Sequence, residues 1–318
     1  MNGIKLQNIF DLKKDFLKLE VLTKDVPLNK IVMNSDVNRL GLALAGYLDY
    51  FAYDRIQILG NTEIFYFNKL SSKRRKGVIE NILKNFDIPC FISTNNLIPA
   101  EELLIQAKKH NIPVLKTEMF TSNFVREMNA YVEEEIAPNI SMHGVLLEMY
   151  GLGVIIVGGS GSGKSECALD LIYKGHQLVC DDMVNIKKKS GEVLVGFASD
   201  VLPYHMEIRG MGIVNVKQLL GVSSILDRTN IDLVVALESW DTNKQYDRLG
   251  CSGIYENILG IDIPKIIIPV KVGRNLAGLV ELAAMKHRLL NQGHDTIKEL
   301  DECLINYMQK KENNRLKK

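Results

Sequence analysis

The sequence lacks a dominant charge, a paired-cysteine motif and a long apolar run. Its 39 basic residues nearly balance its 38 acidic residues, so the formal net charge is +1, and no general electrostatic surface for nucleic acid results. The five cysteines form no C-x-x-C pair, which is typical of free thiols in a reducing compartment. No apolar run approaches the ~20 residues that span a bilayer, and the first residues do not resemble a signal peptide. We therefore expect a cytoplasmic protein that binds neither nucleic acid nor membrane.

The 318 residues can form two domains, and the first half reads as a small α/β domain. Short β-rich runs lie at residues 55–60, 63–67, 88–94 and 112–117. Two other segments, 76–86 and 99–111, have apolar residues at helical spacing. Strands that alternate with helices predict βαβ units and a partly parallel sheet. No catalytic constellation occurs here, so we expect residues 1–132 to serve assembly, recognition or regulation.

The segment YVEEEIAPNIS, residues 131–141, is acidic and then carries a proline, which is typical of a domain boundary. We place the boundary between residues 132 and 133, so residues 133–318 form the second domain. This domain opens with two apolar runs around Gly151-Leu152-Gly153, which predict a hairpin that leads into a glycine-rich loop. Near its end, residues 275–293 and 295–311 predict two helices, the first with an asparagine start and a glycine stop.

A phosphate-loop motif, G-x-x-x-x-G-K-[ST], occupies residues 158–165. Its members are Gly158, Gly159, Ser160, Gly161, Ser162, Gly163, Lys164 and Ser165. Glycines let backbone N–H groups turn inward and cradle an anion at the start of the next helix. We expect Lys164 to reach the outer phosphates and the Ser165 hydroxyl to bind Mg²⁺. An apolar strand precedes the loop and a helical pattern follows it, so the motif predicts nucleotide-phosphate binding without selecting a reaction.

Two apolar strands end in acidic residues that could supply a second Mg²⁺ anchor. HQLVCDD ends in Asp181 and Asp182, and IDLVVALE ends in Glu238. If the aspartate pair is used, one carboxylate could contact the metal or orient water while the other accepts a proton, because their environments can separate their pKa values. The residues alone do not decide between the aspartate pair and Glu238.

Further segments around the phosphate loop resemble the bacterial HPr kinase/phosphorylase family. They are SMHGVLLE (141–148), CDD (180–182), HMEIRGMGIVNV (205–216), YDRLG (246–250) and IPVKVGRN (268–275). The resemblance implies an α/β fold, with an N-terminal α/β domain that contains a small sheet and a C-terminal kinase domain that contains the P-loop. It implies a hexamer that uses ATP or pyrophosphate, with Mg²⁺, to phosphorylate a regulatory serine of HPr, the phosphocarrier protein of the sugar phosphotransferase system. It also implies phosphorolysis, in which inorganic phosphate removes that phosphoryl group as pyrophosphate, within carbon catabolite control.

The same resemblance implies the roles of individual residues. Asp182 would be the base toward the serine hydroxyl and the acid in the reverse reaction. The rest of the catalytic set would be His143, Lys164 and Arg248, and the Mg²⁺ ligands would be Ser165 and Glu207. A segment that serves both reactions would comprise Met206, Glu207, Ile208, Arg209, Gly210, Met211, Gly212, Ile213, Val214 and Asn215. A segment that matters mainly for dephosphorylation would comprise Pro269, Val270, Lys271, Val272, Gly273 and Arg274.

Physical reasoning adds three expectations to these roles. Asp182 follows an apolar strand, where partial burial would raise its pKa toward that of a useful base. Glu207 alternates with two apolar neighbours, so it should face away from them on a strand. At Val272 the family more often has proline, which would fix φ. Because valine leaves the loop freer, we expect phosphorolysis to be affected more than phosphorylation.

Two other functions are compatible with a phosphate loop. A small-molecule kinase would phosphorylate a metabolite without HPr, and a nucleotide sensor would use the first half to bind a partner. Exchange of Asp182 for asparagine separates them, because a sensor keeps its function and a kinase loses most of its turnover. On the residues alone, His143 and Arg248 could also be structural, and Arg209 could simply pair with Glu207.

Overall fold

The computed structural model describes residues 3–189, 191–199, 203–244, 253–271, 273–295, 298–299, 305 and 307–308. Arg248 and Val272 lie outside these residues, as does most of the helix expected at 295–311. The chain forms two compact units, residues 1–138 and 139–318. A helix at Thr121–Ile136 continues through the boundary that we placed between residues 132 and 133. Within the described residues, no helix combines the length and apolarity that a membrane crossing requires.

The first unit is built on a mostly parallel sheet with helices on both faces. Its elements are β1 (Ile4–Lys5), α1 (Leu6–Lys13), β2 (Leu19–Val21), β3 (Ile31–Val32), β4 (Asn38–Arg39), α2 (Gly41–Leu44), β5 (Gln57–Leu59), α3 (Asn61–Lys69), α4 (Ser72–Asn85), β6 (Phe91–Ser93), α5 (Glu101–Lys109), β7 (Val114–Thr117) and α6 (Thr121–Ile136). The sheet order is β2-β7-β6-β5-β4, and only β2 runs antiparallel to its neighbour. Helices α1 and α6 cover one face and α2 to α5 the other. The expected alternation of strands and helices is confirmed.

One local prediction in this unit is wrong, because the segment EIFYF lies in helix α3 and not in a strand. The Glu63 carboxylate accepts the Gly60 N–H at 3.0 Å, which caps the start of the helix. Ile64 and Phe67, three residues apart, are the apolar side chains of the segment that reach the core. Aromatic content favours strands only weakly, and here the cap and the helical spacing of the buried residues prevail.

The second unit places a mixed six-stranded sheet between two helices and a second sheet. Its elements are β8 (Asn139–His143), β9 (Val145–Met149), β10 (Leu152–Gly158), α7 (Lys164–Tyr173), β11 (Gln177–Cys180), β12 (Met183–Lys189), β13 (Val193–Phe197), β14 (His205–Ile208), β15 (Gly212–Asn215), α8 (Val216–Leu220), a 3-10 helix (Val222–Ser224), β16 (Arg228–Asn230), β17 (Leu233–Ser239), β18 (Tyr255–Ile258), β19 (Ile261–Val270) and α9 (Leu276–Asn291). The large sheet has the order β11-β9-β10-β17-β19-β18, and β10, β17 and β19 are parallel. The second sheet has the order β16-β13-β12-β8 and is antiparallel. The expected α/β fold, with an N-terminal α/β unit that contains a small sheet and a second unit that contains the phosphate loop, is confirmed.

Both faces of the large sheet are buried, which explains the continuous apolar runs of its central strands. Along β10, Val154 and Ile156 pack in the cluster that contains α7 and α9, and Ile155 packs toward the second sheet. The helix expected at 275–293 is confirmed as α9. Its core face, however, is formed by the small residues Ala277, Val280, Ala283 and Ala284. Leu282 and Leu290 of the same helix are exposed.

Candidate active site

The phosphate loop connects β10 to α7 at the carboxyl edge of the parallel strands. Gly158 lies opposite Leu237 of β17, and Ser239 lies opposite Val270 of β19. The ends of three parallel strands therefore meet at this edge, where α/β proteins commonly bind ligands. A cleft of about 370 Å³ opens there, lined by residues 158–162 and 236–239.

The geometry of the loop requires glycine where the motif has it. A Cβ on Gly158 would lie 2.6 Å from the Leu237 carbonyl oxygen and 2.8 Å from Ser162 Oγ. Gly163, directly before α7, has φ +84°, which is left-handed. Lys164 Nζ donates to the carbonyl oxygens of Gly158 and Gly159 at 3.0 and 3.1 Å. The ammonium group is thus held over the loop that would receive phosphates.

A chain of contacts joins the phosphate-loop helix to β14 through Asp181. Ser165 Oγ donates to Asp181 Oδ1 at 3.1 Å, and the Glu207 N–H donates to Asp181 Oδ2 at 3.3 Å. Burial raises the pKa of Asp181, while the hydrogen bonds from Ser165 and the Glu207 N–H act in the opposite direction. The three residues supply hydroxyl and carboxylate oxygens, which Mg²⁺ prefers.

These residues fit Mg²⁺ as a partial ligand set. Among the residues that the structure describes, no three His, Cys, Asp or Glu side chains converge on one point. Mg²⁺ is commonly held by one or two carboxylates together with water and substrate phosphates. Ser165, Asp181 and Glu207 beside a phosphate loop are consistent with this mode of coordination. The ligand set that we expected contained Ser165 and Glu207 but not Asp181. The position of Asp181 in the aspartate pair after β11 was the sequence feature that pointed to it.

Asp182 and His143 form a second, exposed pair next to this chain of contacts. His143 Nδ1 lies 3.6 Å from Asp182 Oδ1, and the two side chains are 75% and 85% exposed. The expected partial burial of Asp182 is therefore wrong, and it is Asp181 that is partly buried. The reason is the turn after β11, where Asp182 adopts φ +69° and its side chain projects outward. The exposure leaves Asp182 accessible to a macromolecular substrate.

Glu238, the alternative metal anchor, occupies a different position. It lies at the end of β17 and lines the cleft, but its carboxylate pairs with Lys244. Ser165, by contrast, hydrogen-bonds Asp181. The structure thus joins the phosphate loop to the aspartate pair.

The hairpin of β14 and β15 presents one face to the core and the other to the phosphate loop. Met206 and Ile208 are buried, whereas Glu207 and Arg209 are exposed, as the alternation predicted. Asn215 caps α8 by accepting the Gln218 N–H at 3.0 Å. The other members of the segment lie in β15 or in the turn before it: Gly210, Met211, Gly212, Ile213 and Val214. The possible pairing of Arg209 with Glu207 is not found among the described ion pairs.

The segment that follows β19 is the second basic element near the cleft. Pro269 and Val270 end β19, and Lys271 Nζ lies 5.9 Å from the centre of the Trp240 ring. Arg274 donates to the Pro269 carbonyl oxygen at 2.9 Å, which closes the loop on itself. Gly273 has φ +83°, a value that favours glycine.

The thiols near the site are packing groups. Cys167 and Cys180 are 3% and 4% exposed. Burial raises the pKa of each to about 12, so neither is a reactive thiolate near neutral pH.

Comparisons with known proteins cover nearly the whole chain. Residues 4–132 match the family described as HPr Serine kinase N terminus, and residues 134–304 match the HPr Serine kinase C-terminal domain. The HPr kinase/phosphorylase of Alkaliphilus metalliredigens is 42% identical over 300 residues, which cover 94% of this chain and 96% of the relative. That of Leptospira biflexa is 42% identical over 309 residues, which cover 96% and 95%. The solved Hpr(Ser) kinase/phosphatase from Coxiella burnetii is 35% identical, with a TM-score of 0.45, and the match covers 51% of this chain and 98% of that chain.

These matches agree with the segments that surround the phosphate loop in the sequence. Both halves of the chain match the two parts of one family in the expected order. The chain belongs to the HPr kinase/phosphorylase family.

Proposed function

We infer that this enzyme is a bifunctional HPr kinase/phosphorylase. It phosphorylates a regulatory serine of HPr, and it removes that phosphoryl group with inorganic phosphate, which yields pyrophosphate. The observation that carries the inference is the adjacency of two groups at one edge of the sheet. Ser165, Asp181 and Glu207 adjoin the phosphate loop. Asp182 follows Asp181 directly in the chain and lies 3.6 Å from His143.

We propose ATP or pyrophosphate as the phosphoryl donor and Mg²⁺ as the cofactor. Lys164 and the loop backbone would bind the donor phosphates, since the ammonium group already lies against the loop carbonyls. Ser165 and Glu207 would hold Mg²⁺ together with Asp181, through hydroxyl and carboxylate oxygens. When bound, the metal neutralises charge on the phosphate oxygens.

Asp182 is proposed as the proton acceptor for phosphorylation. It takes the proton of the serine hydroxyl as the serine oxygen–phosphorus bond forms. The bond from phosphorus to the leaving group breaks at the same time, and its electron pair departs with the oxygen of ADP or, when pyrophosphate is the donor, of inorganic phosphate. His143, 3.6 Å away, would orient the carboxylate. In phosphorolysis Asp182 returns the proton to the serine oxygen.

Phosphorolysis requires a site for the incoming inorganic phosphate. Lys271, Gly273 and Arg274 follow β19 at the edge where the phosphate loop also lies. Lysine and arginine recognise phosphate through charge and donated hydrogen bonds. We propose that this segment binds the attacking phosphate, and that Arg248 and Val272 contribute as the family resemblance implies.

We further propose that the protein is a cytoplasmic homohexamer engaged in carbon catabolite control. Residues 1–132 would serve assembly or regulation, and residues 133–318 would carry catalysis. The support is that the phosphate loop and every side chain discussed above as catalytic belong to the second unit. Light scattering coupled to gel filtration should give six times the mass of the chain, and a stable monomer or dimer would contradict the hexamer.

Two reactions test the proposed function. In the first, HPr, ATP and Mg²⁺ should yield acid-stable phosphate on one serine, and HPr with that serine replaced by alanine is the control. In the second, serine-phosphorylated HPr, Mg²⁺ and inorganic phosphate should release pyrophosphate. Phosphorylation of a metabolite without any transfer to HPr would favour a small-molecule kinase. Nucleotide binding without transfer in either reaction would favour a sensor.

A further inference from the structure

Arg209 lies directly against the phosphate loop. Its guanidinium nitrogens Nη1 and Nη2 are both 3.3 Å from the point that a Cβ on Gly161 would occupy. The central carbon Cζ is 3.7 Å from the same point. The two terminal nitrogens are closer to this point than the central carbon, so the guanidinium meets the glycine with its Nη edge, and a side chain at residue 161 would contact it.

The contact gives Gly161 a specific purpose. The phosphate-loop motif demands glycine at its first and sixth residues only, and Gly161 is the fourth. Its φ of +79° favours glycine, and the missing side chain also leaves the space in which the guanidinium lies. The absence of a side chain at Gly161 thus allows the positive charge of Arg209 to lie next to the phosphate loop.

Arg209 directly follows β14, and this strand is fixed on both sides. Met206 and Ile208 are buried in the core beside α7. Between them, the Glu207 N–H donates to Asp181, which also accepts from Ser165 of the phosphate-loop helix. Arg209 therefore extends from a strand whose distance to the loop is set by packing and by hydrogen bonds. Such fixed donors stabilise a transition state without having to reorganise.

Within the part of the chain that the structure describes, the charge of Arg209 has no carboxylate partner. No carboxylate of the described residues lies within ion-pair distance of its guanidinium, although Glu207 is two residues away on the same face. Glu238, which lines the same cleft, pairs with Lys244 instead. A guanidinium without a carboxylate partner beside an anion-binding loop is suited to a phosphoryl group, which it can bind through two parallel N–H donors.

We propose that Arg209 contacts the transferred phosphoryl group and stabilises the charge that develops on its oxygens. The role rests on the proposed function and assigns a specific contact to one residue of the segment from Met206 to Asn215. As the serine oxygen–phosphorus bond forms and the bond to the leaving group breaks, charge is redistributed over the phosphoryl oxygens and the leaving oxygen. Arg209 donates N–H groups to these oxygens, and it neither gains nor loses a proton.

The test compares Arg209→Gln and Arg209→Lys with Arg288→Gln. Arg288 is exposed near the end of α9, so its exchange removes the same charge away from the loop. We expect Arg209→Gln to lower kcat for HPr phosphorylation about 10²- to 10³-fold. The affinity for ADP and Mg²⁺, measured by calorimetry, should change by less than about threefold, because ADP lacks the transferred group. Aluminium fluoride should tighten ADP binding to the wild type and to Arg288→Gln, but not to Arg209→Gln.

Three outcomes would overturn the proposal. An Arg209→Gln variant with wild-type kcat would show that the guanidinium takes no part in transfer. A loss of ADP affinity in proportion to the loss of kcat would show that Arg209 only shapes the loop. If Arg209→Gln does not fold, Arg209→Lys carries the test, because the proposal requires it to lose aluminium fluoride trapping while retaining ADP binding. Should the wild type transfer no phosphate to HPr, the proposed function fails, and aluminium fluoride trapping still decides the role of Arg209.

Discussion

Replacement of Asp181 by asparagine tests whether the buried carboxylate belongs to the magnesium site. Burial raises the pKa of Asp181 above its usual 3.8. The protonated form is thus favoured in the folded state, and the stability it contributes below pH 3.8 is lost as the pH rises through the raised pKa. At neutral pH the ionised group costs stability unless a cation neutralises it. Asparagine removes that cost, but it can accept only one of the two hydrogen bonds, which costs about 1 kcal/mol.

Because these effects oppose each other, the ligand-free variant should melt close to the wild type, and the informative quantity is the shift on ligand binding. Magnesium pyrophosphate at about 100 times its dissociation constant stabilises a folded protein by about 2.7 kcal/mol. For a unit of the size of residues 139–318, this corresponds to a rise in Tm of about 5–10 °C. If the loss of Asp181 weakens binding about 100-fold, only about 0.4 kcal/mol remains, a rise of about 1–2 °C.

Differential scanning calorimetry at pH 7.5, with and without magnesium pyrophosphate, measures both shifts. Asp170→Asn is the control, because Asp170 is an exposed aspartate of α7, the helix that follows the phosphate loop. Its Tm should rise as much as that of the wild type. An equally large rise for Asp181→Asn would refute the reasoning, since the buried carboxylate would then have no part in binding the metal. A strongly lowered Tm of the ligand-free variant would show that the two hydrogen bonds outweigh the relief of the buried charge.

Three further predictions concern other side chains. Asp182→Asn should lower kcat for HPr phosphorylation about 10²- to 10⁴-fold at unchanged ADP affinity, because it removes the proton acceptor; unchanged turnover in a kinetic assay would exclude that role. Lys271→Ala should lower phosphorolysis and pyrophosphate-dependent phosphorylation by the same factor, since one reaction reverses the other, and should spare phosphorylation by ATP; an equal loss with ATP would place Lys271 elsewhere in the mechanism. Glu281→Gln should cost about 1.5–3 kcal/mol in urea unfolding at pH 7, because Glu281 accepts hydrogen bonds from Tyr150 and Lys174 at 2.8 and 2.6 Å. The bond from Lys174 and, less strongly, that from Tyr150 lower the pKa of Glu281 from its usual 4.5 to about 2. The difference in unfolding free energy between variant and wild type should therefore vanish as the pH falls from 4.5 toward 2.

The parts of the site that depend on local sequence could be predicted. Gly163 and Lys164 belong to a motif whose geometry follows from the left-handed φ of Gly163 and from bonds within a few residues. The alternation of Met206, Glu207 and Ile208 follows from the period of a strand, and the structure reproduces it. Such patterns need no knowledge of which distant segments meet.

The burial of the aspartate pair could not be predicted in the same way. Both residues follow one apolar strand, and the sequence gives no reason to bury the first and expose the second. The difference arises because Asp181 meets Ser165 and the Glu207 N–H, which are distant in sequence, and because Asp182 adopts φ +69°. A residue with a left-handed backbone conformation ends the alternation of side chains along a strand. The sequence does not show that Asp182 adopts this conformation.

The pairing of His143 with Asp182 depends on how the chain passes between the two sheets. Strands β8 and β12 pair in the second sheet. Strand β8 leads directly into β9, and β12 directly follows β11; β9 and β11 pair with each other in the large sheet. At this passage the Gly144 N–H donates to the Asp182 carbonyl oxygen at 3.0 Å. A Cβ on Gly144 would lie only 2.7 Å from the Ile156 carbonyl oxygen of β10, so a larger residue would push the passage away from the strand that carries the phosphate loop. The glycine between His143 and the apolar run of β9 thus holds Asp182, the proposed proton acceptor, close to the strand that carries the phosphate loop.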